Sequence, residues 1–127
     1  MVKKELNNIE VLDPETEGLA GRVNAERLRT IMFQCEVTYN AQATAGIQVN
    51  AYHQISDNED DTVPYDWYTL TFAAGTTVRE SYLFSAPEDG QIIFKVENLD
   101  DTVTATNIRT KVTMGYWNQG ITGEPVL

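Results

Sequence analysis

The sequence predicts an all-β chain: an antiparallel β-sandwich of jelly-roll or immunoglobulin-like type, with six to eight strands. Three observations predict it. Runs in which apolar and polar residues alternate one by one recur along the chain, and a period of two sends successive side chains to opposite faces of a strand. The runs are separated at even spacing by Gly, Pro, Asn and Asp, the residues of turns. No helical period intervenes between them, which argues against strand–helix–strand units.

Residues 1–26 read as an extended N-terminal arm. Asp13-Pro14-Glu15, Gly18 and Gly21 interrupt regular structure, and the apolar residues Ile9, Val11, Leu12 and Leu19 are sparse. A short helix over 23–30 competes with a strand over 29–39, and the strand carries the stronger signal. There Ile31, Phe33, Cys35, Val37 and Tyr39 alternate with Met32, Gln34, Glu36 and Thr38. After Ala45-Gly46, the residues Ile47, Val49 and Ala51 alternate with Gln48, Asn50 and Tyr52. Tyr68, Leu70 and Phe72 alternate with Trp67, Thr69 and Thr71, ending at Ala74-Gly75. Val78 to Phe84 form the next strand, closed by Ala86-Pro87-Glu88-Asp89-Gly90. Ile92, Phe94 and Val96 follow, then the turn-like Asn98-Leu99-Asp100-Asp101. A weaker strand is expected at 101–106, where Thr and Val favour a pleated surface, and Ile108, Val112, Met114 and Tyr116 mark the last strong one. The sandwich domain is thus bounded at 27–117, and 118–127, with Gly120, Gly123 and Pro125, reads as a loose tail.

A chain of 127 residues is the size of one domain. A hydrophobic fraction of 42% is ordinary for a globular protein and excludes wholesale disorder. The net charge of −10 argues against nucleic acid, whose phosphates need a basic face, and against an anionic membrane surface. The charge is unevenly placed: residues 1–30 hold five cations against six acids, a sum of −1, leaving −9 for the rest. Cys35 is the only cysteine, so no intrachain disulfide forms, and its place in an alternating run marks it as a small buried hydrophobe. The basic start of the chain has no apolar stretch behind it, and no run is long enough to span a bilayer as a helix. Cytoplasmic synthesis is the expectation.

Catalytic chemistry finds little support. His53 is the only histidine, and no Gly-x-Ser-x-Gly elbow surrounds a nucleophile it would activate. One His and one Cys do not make a zinc ligand set, and no phosphate-cradling glycine motif is present. The acids cluster in loops, as solvated turn residues do, so no catalytic and no cofactor-binding residue is expected. Calcium is the best metal candidate. Asp57, Glu59, Asp60 and Asp61 offer hard oxygen ligands in one loop, though without EF-hand spacing or its glycine. Tyr52, Trp67 and Trp117 are candidate exposed aromatics, suited either to stacking on a sugar or, more in keeping with their residue type, to a subunit interface.

Several stretches carry a resemblance. They are Gly46-Ile47-Gln48-Val49-Asn50-Ala51-Tyr52-His53, Tyr65-Asp66-Trp67-Tyr68, Ala74-Gly75-Thr76-Thr77-Val78, and Phe94-Lys95-Val96-Glu97-Asn98-Leu99-Asp100. Over about residues 30–116 the chain resembles the β-sandwich domains of accessory virion proteins of tailed viruses of bacteria and archaea: capsid decoration, vertex and tail-attached subunits. The likeness is one of texture and not of a diagnostic motif, and no catalytic residues carry over. It implies a homo-oligomer, often a trimer or pentamer, located in the virion and seated on other virion proteins such as the major capsid protein. Arg22, Arg27 and Arg29 would then meet a carboxylate surface on a neighbouring subunit. The chain also resembles carbohydrate-binding sandwiches, which implies the alternative of a module that binds a glycan or another surface ligand.

Overall fold

The computed structural model describes residues 2–55, 63–87 and 89–117. Nine strands make two antiparallel sheets: β1 (Val2–Glu5), β2 (Ile9–Leu12), β3 (Glu17–Asn24), β4 (Leu28–Tyr39), β5 (Ile47–Gln54), β6 (Asp66–Thr69), β7 (Thr77–Phe84), β8 (Gln91–Asn98) and β9 (Ala105–Tyr116). No described residue is helical. Sheet A runs β1-β9-β4-β7, with β2 also on the outer edge of β9; sheet B runs β3-β8-β5-β6.

The pairings are nested. β2 pairs with β9, β3 with β8, β4 with β7 and β5 with β6, as if one long antiparallel ribbon had been rolled up. The further pairings β4 with β9 and β5 with β8 close the two sheets. This is the jelly roll.

The rolled topology corrects the reading of residues 1–26 as an arm. That segment supplies β1 and β2, which lengthen sheet A, and β3, which edges sheet B. Its apolar residues are few because an edge strand needs few: Leu12, Ala20, Val23 and Ala25 are buried in the core, with Leu6 and Ile9 packed against it. Its glycines mark close approach, not a break. A Cβ on Gly21 would stand 2.8 Å from Leu6 Cδ2, and one on Gly18 3.0 Å from Ile9 Cδ1, so these two side chains lie directly over β3. A bulge between Leu19 and Gly21 adjusts the register to β8. The helix weighed at 23–30 is instead a tight turn: Glu26 N–H donates to Asn24 Oδ1, and Arg27 takes a positive φ of 62°. The weak strand expected at 101–106 begins only at Ala105 and is continuous with the last one, bulged at Asn107 (φ 52°) where the register to β4 shifts. The expected tail, 118–127, lies outside the described residues.

The core lies between the sheets. Ile31, Phe33, Cys35 and Val37 from β4 face Ile47, Val49, Phe94 and Val96 from sheet B, all nearly inaccessible to solvent. Phe33, Phe84 and Phe94 form its centre, with ring centroids 4.8 Å (Phe33–Phe94), 5.4 Å (Phe84–Phe94) and 6.1 Å (Phe33–Phe84) apart.

Candidate functional site: two sheet faces and a loop end

Three surfaces follow from the fold. The outer face of sheet B is made by the residues out of phase with the core. In register across β3, β8, β5 and β6 lie the rows Glu17–Glu97–Gln48–Thr69 and Leu19–Lys95–Asn50–Trp67, followed by Arg22–Ile93–Tyr52. A dense polar network covers it. Asn50 is only 2% exposed; its amide donates to Glu17 Oε2 (2.8 Å) and Glu97 Oε1 (3.1 Å) and its carbonyl accepts from Gln48 (2.8 Å). Tyr52 donates its hydroxyl to Glu17 at 2.6 Å and lies under the Lys95 ammonium, 5.0 Å from the ring centre. Such a network, satisfied within itself, rigidifies the sheet.

The outer face of sheet A is different in charge. Rows across β1, β9, β4 and β7 place Lys3 beside Thr113, Met32 and Leu83, and Glu5 beside Lys111, Gln34 and Ser81. Glu36 is bracketed by Arg79 at 3.4 Å and Arg109 at 4.0 Å. A groove of about 230 Å³ runs along these charged side chains. These rows hold four cations (Lys3, Arg79, Arg109, Lys111) against two acids (Glu5, Glu36), a sum of +2, so the rest of the chain carries −12. Beside the charges, Met32 (40% exposed) and Leu83 (63%) stand opposite one another.

The third surface is the end of the sandwich formed by the loops 13–16, 40–46, 70–76 and 99–104, which hold acids and no Lys or Arg. Asp100 knits them together. Its buried carboxylate accepts the backbone N–H groups of Thr44, Ala45, Thr102 and Val103, and these hold it well below the usual carboxylate range. Glu15 N–H donates to the Asp100 carbonyl (3.0 Å), bringing the exposed Asp13, Glu15 and Asp101 into one region. Phe72 and Leu99 flank Gly46 there, 40% and 38% exposed.

The residues singled out in the sequence are dispersed among these surfaces. Arg22, Tyr52 and Trp67 share the outer face of sheet B, where Arg22 donates to Gln54 (3.2 Å) and Trp67 is 56% exposed. Arg27, Arg29 and Trp117 meet at the opposite end: Trp117 N–H donates to the Arg27 carbonyl (2.7 Å), and the Arg29 guanidinium lies 4.7 Å over the Trp117 ring. The three aromatics therefore do not line one open face, because Tyr52 is buried and Trp117 lies elsewhere, half-buried under Arg29. His53 Nε2–H donates to the Asp89 carbonyl at 2.9 Å and its ring meets the edge of Tyr65. Asp57, Glu59, Asp60 and Asp61 lie outside the described residues; among the described ones, no three His, Cys, Asp or Glu side chains gather to hold a metal ion. The basic face of sheet A was not singled out from sequence. Its signal was present as period two, since Arg79, Arg109 and Lys111 all fall on the polar phase of their strands.

No protein-family model matches the chain, and no curated protein matches it in sequence. Solved structures match in shape. The chain is similar to part of the T13 viral particle of infectious bursal disease virus, with a TM-score of 0.56 and 9% identity over 91% of this chain and 30% of that one. It is similar to the structure of the Gx strain of the same virus, with a TM-score of 0.51 and 9% identity over 98% of this chain and 34% of that one. It is also similar to the N-terminal modules of xylanase 10B of Clostridium thermocellum complexed with xylohexaose, with a TM-score of 0.50 and 14% identity over 71% of this chain and 17% of that one. The chain spans about a third or less of each of these three. What it shares with them is the sandwich.

Proposed function

We propose that this chain is a non-enzymatic structural subunit of a virion, associated with the capsid, which acts by assembling with copies of itself and with other shell proteins and needs no cofactor. The observation that carries the reading is the exposed apolar residues left on a rigid, well-packed sandwich: Met32 opposite Leu83 on the face of sheet A, and Phe72 and Leu99 on either side of Gly46 at the loop end. Adjacent exposed apolar side chains rimmed by charge are the composition of a protein–protein contact. The shared shape with subunits of viral particles supports the same reading, and the resemblance of residues 30–116 to accessory proteins supports the finer placement on a tailed virus. Size-exclusion chromatography with light scattering tests it. The expected mass is a multiple of 14.3 kDa in the micromolar range; a monomer at every concentration would contradict it.

One observation favours a second reading, a glycan-binding module. The Trp67 ring is exposed at the edge of sheet B beside Gln48 and Thr69, whose side chains hydrogen-bond at 3.2 Å, and a flat exposed ring beside polar side chains suits a sugar face. A monomer that binds a soluble oligosaccharide and loses it in Trp67→Ala would select this reading over the first.

A further inference from the structure

We infer that copies of this chain associate head to tail, the acidic loop end of one seated on the basic outer face of sheet A of the next. The inference rests on the assembly reading above and adds its geometry. Two like faces of sheet A, each +2, repel, and two loop ends repel more, because the loops 13–16, 40–46, 70–76 and 99–104 hold Asp13, Glu15, Asp100 and Asp101 and no cation. The unlike pairing attracts. In a molecule of net charge −10, the outer face of sheet A is where a second copy meets an excess of positive charge built on sheet residues.

The two surfaces also match in their apolar part. The face offers Met32 and Leu83 in register across β4 and β7, next to the row that carries Arg79 and Arg109. The loop end offers Phe72 and Leu99 on either side of Gly46, next to Asp13, Glu15 and Asp101. Each surface is an apolar pair rimmed by charge of one dominant sign, and the signs are opposite. Charge of this kind fixes the orientation of an encounter and rejects the wrong one. Both surfaces are held rigid, the face by its sheet and the end by the Asp100 carboxylate, so neither must be ordered on binding. A contact that joins two different patches is heterologous: it closes a ring or extends an array, and it does not produce an isologous two-fold dimer.

Charge reversal tests this in both directions. Arg79→Glu/Arg109→Glu turns the face acidic, and Glu15→Lys/Asp101→Lys turns the loop end basic; far-ultraviolet spectra and melting curves establish that each variant folds. In sedimentation velocity at low salt, each variant alone is expected to sediment as a monomer where the wild type is oligomeric, a weakening of at least tenfold. Mixed one to one, the two variants are expected to assemble again, since the acidic face of the first fits the basic end of the second. Either variant assembling alone like the wild type overturns the inference, and so does failure of the mixture to assemble; both results leave the assembly reading standing. A wild type that is monomeric throughout overturns the inference and the assembly reading together.

Discussion

Thr44 donates its backbone N–H to the Asp100 carboxylate at 2.6 Å, joining two loops 56 residues apart in sequence. Asp100 collects three more backbone N–H groups, and the hydroxyls of Thr44 and Thr102 also reach it, at 3.3 and 3.1 Å. The loop end is thus shaped by one anion.

That anion predicts a pH dependence. The folded protein holds the Asp100 carboxyl below its ordinary range, chiefly through the N–H groups of Thr44, Thr102 and Val103. Its contribution to stability is therefore complete above the ordinary carboxylate range and is lost as pH falls from about 4 through the folded value. Asp100→Asn places an amide NH₂ against backbone N–H groups. The variant is expected to melt lower than the wild type by a constant margin between pH 5 and 8, and the margin is expected to shrink below about pH 4. Melting curves across that range check it.

The N-terminal segment yields the sharpest difference from the sequence reading. A separate arm would be removable with little change to the sandwich. Because residues 2–24 form β1, β2 and β3, deletion of residues 1–26 strips an edge from both sheets and bares the backbone of β8 and β9. The truncated chain is expected to lose its cooperative unfolding transition and to aggregate. A sharp transition near the full-length midpoint would show that these strands do not complete the fold.

Core packing carries most of the stability. Phe94 is fully buried and touches both Phe33 and Phe84. Phe94→Ala is expected to cost about 3–5 kcal/mol, the range for removing a buried aromatic side chain, read from denaturant midpoints at constant slope.

Cys35 is expected to be silent in the folded state. It is 1% exposed, and burial, with the charge of Glu36 adding to it, pushes its thiol up to about 12. A thiol reagent at pH 8 is expected to titrate no cysteine in the native protein and one after denaturation. Its slow labelling rate without denaturant then reports how often the sandwich opens.

The strands from β4 onward were mostly legible in sequence because alternation such as Ile31 to Tyr39 survives as a pattern, though β6 ends at Thr69, short of the alternation that runs on to Phe72. β1 to β3 were not. An edge strand buries one or two side chains, and Gly18 and Gly21, which read as breaks, are strand residues over which the side chains of Ile9 and Leu6 lie. Tyr52 shows the other limit. Its polar phase was correctly read as outward, yet a side chain two strands away, Glu17, accepts its hydroxyl and helps to bury it. Alternation reports the face of a side chain and carries no information on what covers it. The same holds for the charge of sheet A, which emerges only when β4, β7 and β9 are placed side by side.

Carbodiimide cross-linking of an oligomer assembled from equal parts of ¹⁴N- and ¹⁵N-labelled chain tests the assembly account most directly, because mixed-isotope links join different copies. Head-to-tail association predicts mixed links from Lys3 or Lys111 to Asp13, Glu15 or Asp101. Mixed links confined to Lys3 or Lys111 with Glu5 or Glu36, the signature of one sheet face on its twin, would contradict it.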